Sequence, residues 1–228
     1  MTKITETTEW RVSIPRERFR ALRGELHFRH ALVLGRMLNS LRFLEVAYLD
    51  SKENEGTGGA RQRFAALFFI AAVLFEGLNL LRRIGNSFKE NNRWKERVVP
   101  ILRSGRFDKL FGNSLQPLRN QVVFHFFEDS LAEPLSRMDP ESVVFVAGSG
   151  RSQGEVNYEL SDLLAIDLFM GHHASAEEEI RHFKFLLAES RDLLLEVIAA
   201  GEGVLAEYCE RNGLVTEIRE RGGEWHAA

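Results

Sequence analysis

Residues 118–126 read LRNQVVFHF and place Arg119, Asn120 and His125 inside an otherwise apolar run. A histidine titrates near neutral pH, so it can accept a proton and return it. A guanidinium stays charged and forks onto two phosphate oxygens. An amide beside it can hold a hydroxyl or a phosphate in place. Together these are the parts needed to cleave RNA without a metal: a base for the 2′-hydroxyl and a cation for the charge that grows on phosphorus. The same residues also have a purely structural reading, in which Arg119 pairs with a carboxylate such as Glu76 and His125 bonds to a backbone carbonyl.

Other chemistry-bearing residues give weaker signals. Glu179 and His182 form an E-x-x-H pair, but di-iron bundle proteins need two such motifs and two further glutamates. A second motif is missing, and His172 and His173 precede the helix that carries the first, so no metal or other cofactor is expected. The glycine-rich AGSGRSQGE (147–155) lacks the G-K-[ST] ending of a phosphate-binding loop. Cys209, the single cysteine, excludes an internal disulfide framework. Glu76 sits in a strongly apolar stretch, where an unpaired carboxylate is costly to bury, so it must be either solvated or neutralised by a cation such as Arg119, Arg36 or Arg42. Glu45 poses the same question on an earlier helix.

These residues must be held by helices. Pro15 suits the first turn of a helix, and the pattern runs on past a break at Gly24 to about residue 50. The polar SKENEGTGG (51–59) is expected as a flexible loop, followed by a second long helix from about Ala60 to Ile84. Its uninterrupted apolar part, Phe64 to Phe75, is shorter than the ~20 residues of a membrane span. It therefore reads as a core helix, with no membrane partner. Turn residues and Pro100 break the next segment into short pieces. Asn113 or Ser114 can cap the helix that carries Arg119.

The segments SVVFVAG (142–148) and EVNYEL (155–160) alternate as strands do and predict a small inserted β-hairpin. Ser175 and Glu178 then form a capping box for a last helix. Its seam, Ile180, Phe183, Leu187, Ser190, Leu194, Val197, Gly201, Val204 and Tyr208, steps by three and four residues, and Asn212-Gly213 stops it. Such a helix is ~50 Å long and needs long partners. The expectation is an all-α chain: one helical-bundle domain over 1–228, with a hairpin insertion near 142–160, assembling as a homodimer.

Composition bounds the function. The 228 residues are 44% hydrophobic and 28% charged, as in ordinary globular proteins. The opening MTKITETTEW lacks the apolar stretch of a secretory signal, which points to the cytoplasm. Residues 1–110 hold 21 Lys+Arg against 12 Asp+Glu, and the remaining residues hold 9 against 21. That division suits a basic face for a polyanion, or two halves that pair with each other. RERFRALRGELHFRH (16–30) and RRIGNSFKENNRWKER (82–97) are the arginine-rich segments.

The R-N-x4-H spacing on a helix, in an all-helical chain of this size, resembles the signature of the HEPN superfamily, the higher-eukaryote and prokaryote nucleotide-binding domains. LRNQVVFHF is similar to runs in its abortive-infection members, where an "arginine, polar, apolar, histidine" segment follows two long helices. The resemblance implies a bundle that dimerises so that two motifs face one cleft. It implies metal-independent endoribonuclease activity, with RNA as substrate, in a toxin–antitoxin or phage-defence system, and a cognate antitoxin as partner. By that likeness Arg119 and His125 are catalytic and Asn120 assists. One branch carries a modifiable tyrosine two places after the histidine; Phe127 stands there in this chain. The alternatives are a catalytically silent dimer that binds a nucleotide, RNA or protein, and a purely structural helical dimer.

Overall fold

Pro15 opens the first helix with an extended backbone, and its carbonyl accepts the amide of Phe19 at 2.9 Å. The computed structural model describes residues 8–53, 57–111, 135–136, 164, 175–220 and 226–227. The described elements are β1 (Thr8–Val12), α1 (Arg16–Leu22), α2 (Leu26–Glu53), α3 (Thr57–Ile84), α4 (Val99–Arg103), α5 (Arg106–Phe111), α6 (Ala176–Arg211), β2 (Val215–Glu220) and β3 (His226–Ala227). The fold is all-α, as the hydrophobic period requires. The hairpin expected at 142–160, the cap at Asn113 or Ser114 and the Arg119 helix lie outside the described residues.

The break expected at Gly24 falls at residues 23–25, where the Glu25 amide returns to the Leu22 carbonyl before α2 starts. The polar segment 51–59 differs from expectation. Residues 51–53 continue α2 and 57–59 begin α3, because Lys52 and Glu53 are competent helix formers and Gly59 is buried.

The chain divides into two compact units. The first holds residues 1–42, 76–105 and 195–228, and the second 43–75 and 106–194. In the first unit, two glycines let helices approach closely. A Cβ on Gly77 of α3 would stand 2.9 Å from Met37 Sδ of α2, and one on Gly201 of α6 would stand 2.7 Å from Leu38 Cδ2. Around these crossings Leu34, Leu41, Leu81, Ile84, Val197 and Val204 are almost wholly buried. Each such side chain stabilises the fold by about 1.5–3 kcal/mol.

Pro100 shapes the segment after α3. Lacking an N–H, it cannot donate four residues back, and its ring crowds the carbonyl there. The preceding turn, Trp94–Val98, widens into a π-helical turn in which the Val99 amide reaches the Trp94 carbonyl. Gly105, at φ +59°, follows the end of α4.

α6 ends as the Asn-Gly stop predicts. The Gly213 amide bonds to the Glu210 carbonyl at 3.0 Å and the Leu214 amide to the Cys209 carbonyl at 2.9 Å, with Gly213 at φ +59°. This is a Schellman closure with Leu214 buried beneath it. From there β2 pairs antiparallel with β1, in register Arg11 with Glu217, and β3 joins the other edge of β2.

The second unit holds the ends of α2 and α3 that complete those helices, α5, and the first part of α6. Phe64 stacks on Phe183 with centroids 3.9 Å apart, and Phe75 lies 6.0 Å from Phe107. Arg106 donates to Glu189 at 2.9 and 3.1 Å. By length and composition α3 could cross a membrane, but 56% of its most apolar window is buried inside the protein. It packs as a core helix through Leu67, Ile70, Leu74 and Leu78.

Candidate functional site

Arg119, Asn120 and His125 lie outside the described residues. Glu76 is described. It stands on the exposed side of α3, while Leu74 and Leu78 on either side are buried. Residues two apart on a helix point about 200° from each other, so the apolar run buries its neighbours and turns Glu76 to the exposed face. Among the cations considered for it, Arg42 forks onto Glu202 at 2.8–3.0 Å and Arg36 donates to Ser40 Oγ at 3.0 Å. Glu45 is half-buried on α2.

A polar cluster lies in the first unit, where α2, the 85–98 segment and α6 meet. Its anchor is Asn91, 5% exposed. The Asn91 Nδ2 donates to the Val204 carbonyl at 3.1 Å, and its Oδ1 accepts the Trp94 amide at 2.9 Å. Asn91 thus caps the π-helical turn while tying it to α6, an arrangement typical of an N-cap. Glu207 adds a charged cap, accepting the amides of Asn92 at 2.9 Å and Arg93 at 2.8 Å. Its negative charge sits where the free amides of a helix start favour one. Arg211 pairs with Glu207 and also donates to the Glu90 carbonyl.

Beside this clamp are the titratable groups. His27 lies between Tyr208 and Phe88, with ring centroids 4.7 and 4.9 Å away and edge-to-face tilts. Phe88 in turn stacks on Trp94 at 5.5 Å. His30 Nδ1 lies 2.7 Å from Ser87 Oγ. Two buried polar atoms here have no hydrogen-bond partner, His27 Nε2 and the Tyr208 hydroxyl.

The environment drives these groups toward their neutral forms. Burial lowers the His27 pKa from its ordinary value, with His30 adding to the effect and Glu25 opposing it. Burial raises that of Tyr208, reinforced by Glu25 and Cys209. Cys209 is pushed up to about 11, first by burial and then by Glu210. An activated thiol needs the opposite shift. The cluster is therefore polar structure that locks α6 to its neighbours.

Among the described residues no group of three or more His, Cys, Asp or Glu is placed to hold a metal. His172, His173 and the Glu179 side chain lie outside the described residues. Sequence reading missed Asn91 and His27. The signal for the first was Asn three residues before Trp94, the spacing of a side-chain cap. His27 had no signal apart from its place in an amphipathic segment.

The first unit also has an uneven charge. By sequence it holds 19 Lys+Arg against 14 Asp+Glu, and the second unit 11 against 19. Several carboxylates of the first unit are engaged: Glu202 by Arg42, Glu207 by backbone amides and Arg211, Glu90 by Lys95 and Glu217 by Arg11. Arg16, Arg20, Arg23 and Arg29 are exposed and have no such partner among the described residues.

In comparisons with known protein families, curated proteins and solved structures, none matches this chain.

Proposed function

We propose that the chain is a HEPN-like endoribonuclease that cleaves RNA without a metal ion, as a homodimer and as part of a toxin–antitoxin or phage-defence system. The observation that carries this reading is the R-N-x4-H spacing of Arg119, Asn120 and His125. Three helices of 28, 28 and 36 residues support it, being long enough for the bundle that the resemblance implies.

In this mechanism His125 takes the proton of a ribose 2′-hydroxyl. The 2′-oxygen then attacks the adjacent phosphorus, the phosphorus–5′-oxygen bond breaks, and the 5′-oxygen of the next nucleotide leaves with the proton that His125 returns. The products are a 2′,3′-cyclic phosphate and a free 5′-hydroxyl. Arg119 stabilises the charge on the phosphorane, and Asn120 orients the phosphate. Glu76, exposed on α3, is the supporting residue of this reading.

The test is cleavage of RNA by the purified protein in EDTA. His125→Ala should lower the rate about 10²–10⁴-fold, the usual worth of a positioned acid–base group. Arg119→Ala should lower it about 10²–10³-fold, as removal of a transition-state charge partner does. Both variants must keep the helical circular-dichroism signal of the parent. Cleavage that needs a divalent ion, or that survives both substitutions, refutes the proposal.

A further inference from the structure

We infer that α1 presents a docking face for single-stranded RNA, formed by Arg16, Phe19, Arg20 and Arg23. The inference rests on the ribonuclease reading for the choice of RNA over DNA; the surface itself rests on the placement of these residues. At 3.6 residues per turn the four side chains fall within about 100° of arc on the helix. All four are exposed, Phe19 by 47%. None of the three arginines has a carboxylate partner among the described residues.

The opposite side of α1 holds the helix in place. Leu22 is buried and Arg18 donates to the Asn212 carbonyl beyond α6, while Phe19, at the edge of the cationic face, meets Phe28 of α2 edge-on at 6.2 Å. Phe19 is thus oriented by a core contact while nearly half its surface remains in water. A guanidinium forks onto phosphate oxygens, and an aromatic ring among cations offers a platform on which a base stacks whatever its identity. Three arginines around one steadied ring supply both parts.

The chemistry favours a nucleic acid over a lipid surface. Binding to a membrane scales with the apolar area a helix inserts, and this seven-residue helix offers one phenylalanine on its cationic face. A duplex hides its bases from the ring, so a single strand is the better fit.

The experiment uses the full chain and fluorescently labelled 15-nucleotide 2′-O-methyl RNA, single-stranded or duplex. This probe lacks the 2′-nucleophile, so binding is read by anisotropy whether or not the protein cleaves RNA. Expected is salt-dependent binding with preference for the single strand. The triple variant Arg16→Gln/Arg20→Gln/Arg23→Gln should weaken it at least ten-fold and flatten the log–log salt slope by about 2, since each lost phosphate contact removes about 0.7. Phe19→Leu, which keeps an apolar contact to Phe28, should weaken the single strand about five-fold or more and the duplex little.

Unchanged affinity and slope in the triple variant would overturn the inference. So would failure of the parent to bind the strand, or capture by anionic phospholipid vesicles in its place. Intact binding by a protein that never cleaves RNA would defeat the ribonuclease reading and leave this surface standing.

Discussion

Removing the hydroxyl of Tyr208 should stabilise the protein. Tyr208 is 3% exposed, and its oxygen has no hydrogen-bond partner. A buried polar group left unpaired costs about 1–3 kcal/mol. Tyr208→Phe removes that cost while keeping the ring that packs against His27 at 4.7 Å and Phe88 at 6.3 Å. The lost oxygen forfeits a handful of dispersion contacts at about 0.1–0.2 kcal/mol each. The expected net gain is therefore about 0.5–2 kcal/mol, read in urea as a higher midpoint with an unchanged slope. His27 Nε2, the second unpaired atom, supplies the internal control. If both atoms are unpaired, His27→Phe also stabilises, and because the two rings touch, the double variant's departure from additivity measures their coupling. If each single variant destabilises while the double recovers, a water or a direct bond links the two groups, and the account of them as unpaired is refuted.

The two close helix crossings predict opposite responses to the same substitution. Gly201→Ala drives a methyl into Leu38, whose Cδ2, Cδ1 and Cγ all lie within 3.4 Å of it. The overpacking cost of about 1–3 kcal/mol should exceed the ~1 kcal/mol gained in helix propensity, lowering the urea midpoint. Gly77→Ala meets chiefly the Met37 thioether, a flexible end that can move aside, so its midpoint should hold or rise; a fall as large as that of Gly201→Ala would contradict the distinction. His27 predicts the direction of a pH effect. Its folded pKa lies below the ordinary value, so the unfolded chain binds the proton more readily. The stability it supports is fully present above about pH 6.5 and is lost as pH falls through the folded value. His27→Gln should flatten that part of the urea-midpoint profile relative to the parent, and an identical slope would remove His27 as its source.

What was legible in the sequence was local. Ser175 three residues before Glu178 marks the start of α6, and the Glu178 amide does bond to Ser175 Oγ at 3.3 Å. Asn212-Gly213 marks its end because the closing turn needs a positive φ. The heptad seam between them holds only in part. Ser190, Leu194, Val197, Val204 and Tyr208 are buried, whereas Ile180 is 55% exposed. A repeat in sequence says which residues share a face, but burial also needs something to pack there.

The position of Glu76 is legible too. Leu67, Ile70, Leu74, Leu78 and Leu81 recur at three- and four-residue steps, and all are buried. Glu76 falls off that face, a placement the mean apolarity of the stretch conceals and its period reveals. The terminal sheet was not legible, because Arg11 finds Glu217 across 206 residues and neither short strand carries a strong alternation of its own. The same division separates the two candidate surfaces. Arg16, Phe19, Arg20 and Arg23 share a face by helical spacing alone, but that the face is open follows only once Leu22 and Arg18 are seen to anchor the other side. A pattern of residue types proposes a site, and the packing around it decides whether those residues meet solvent or one another.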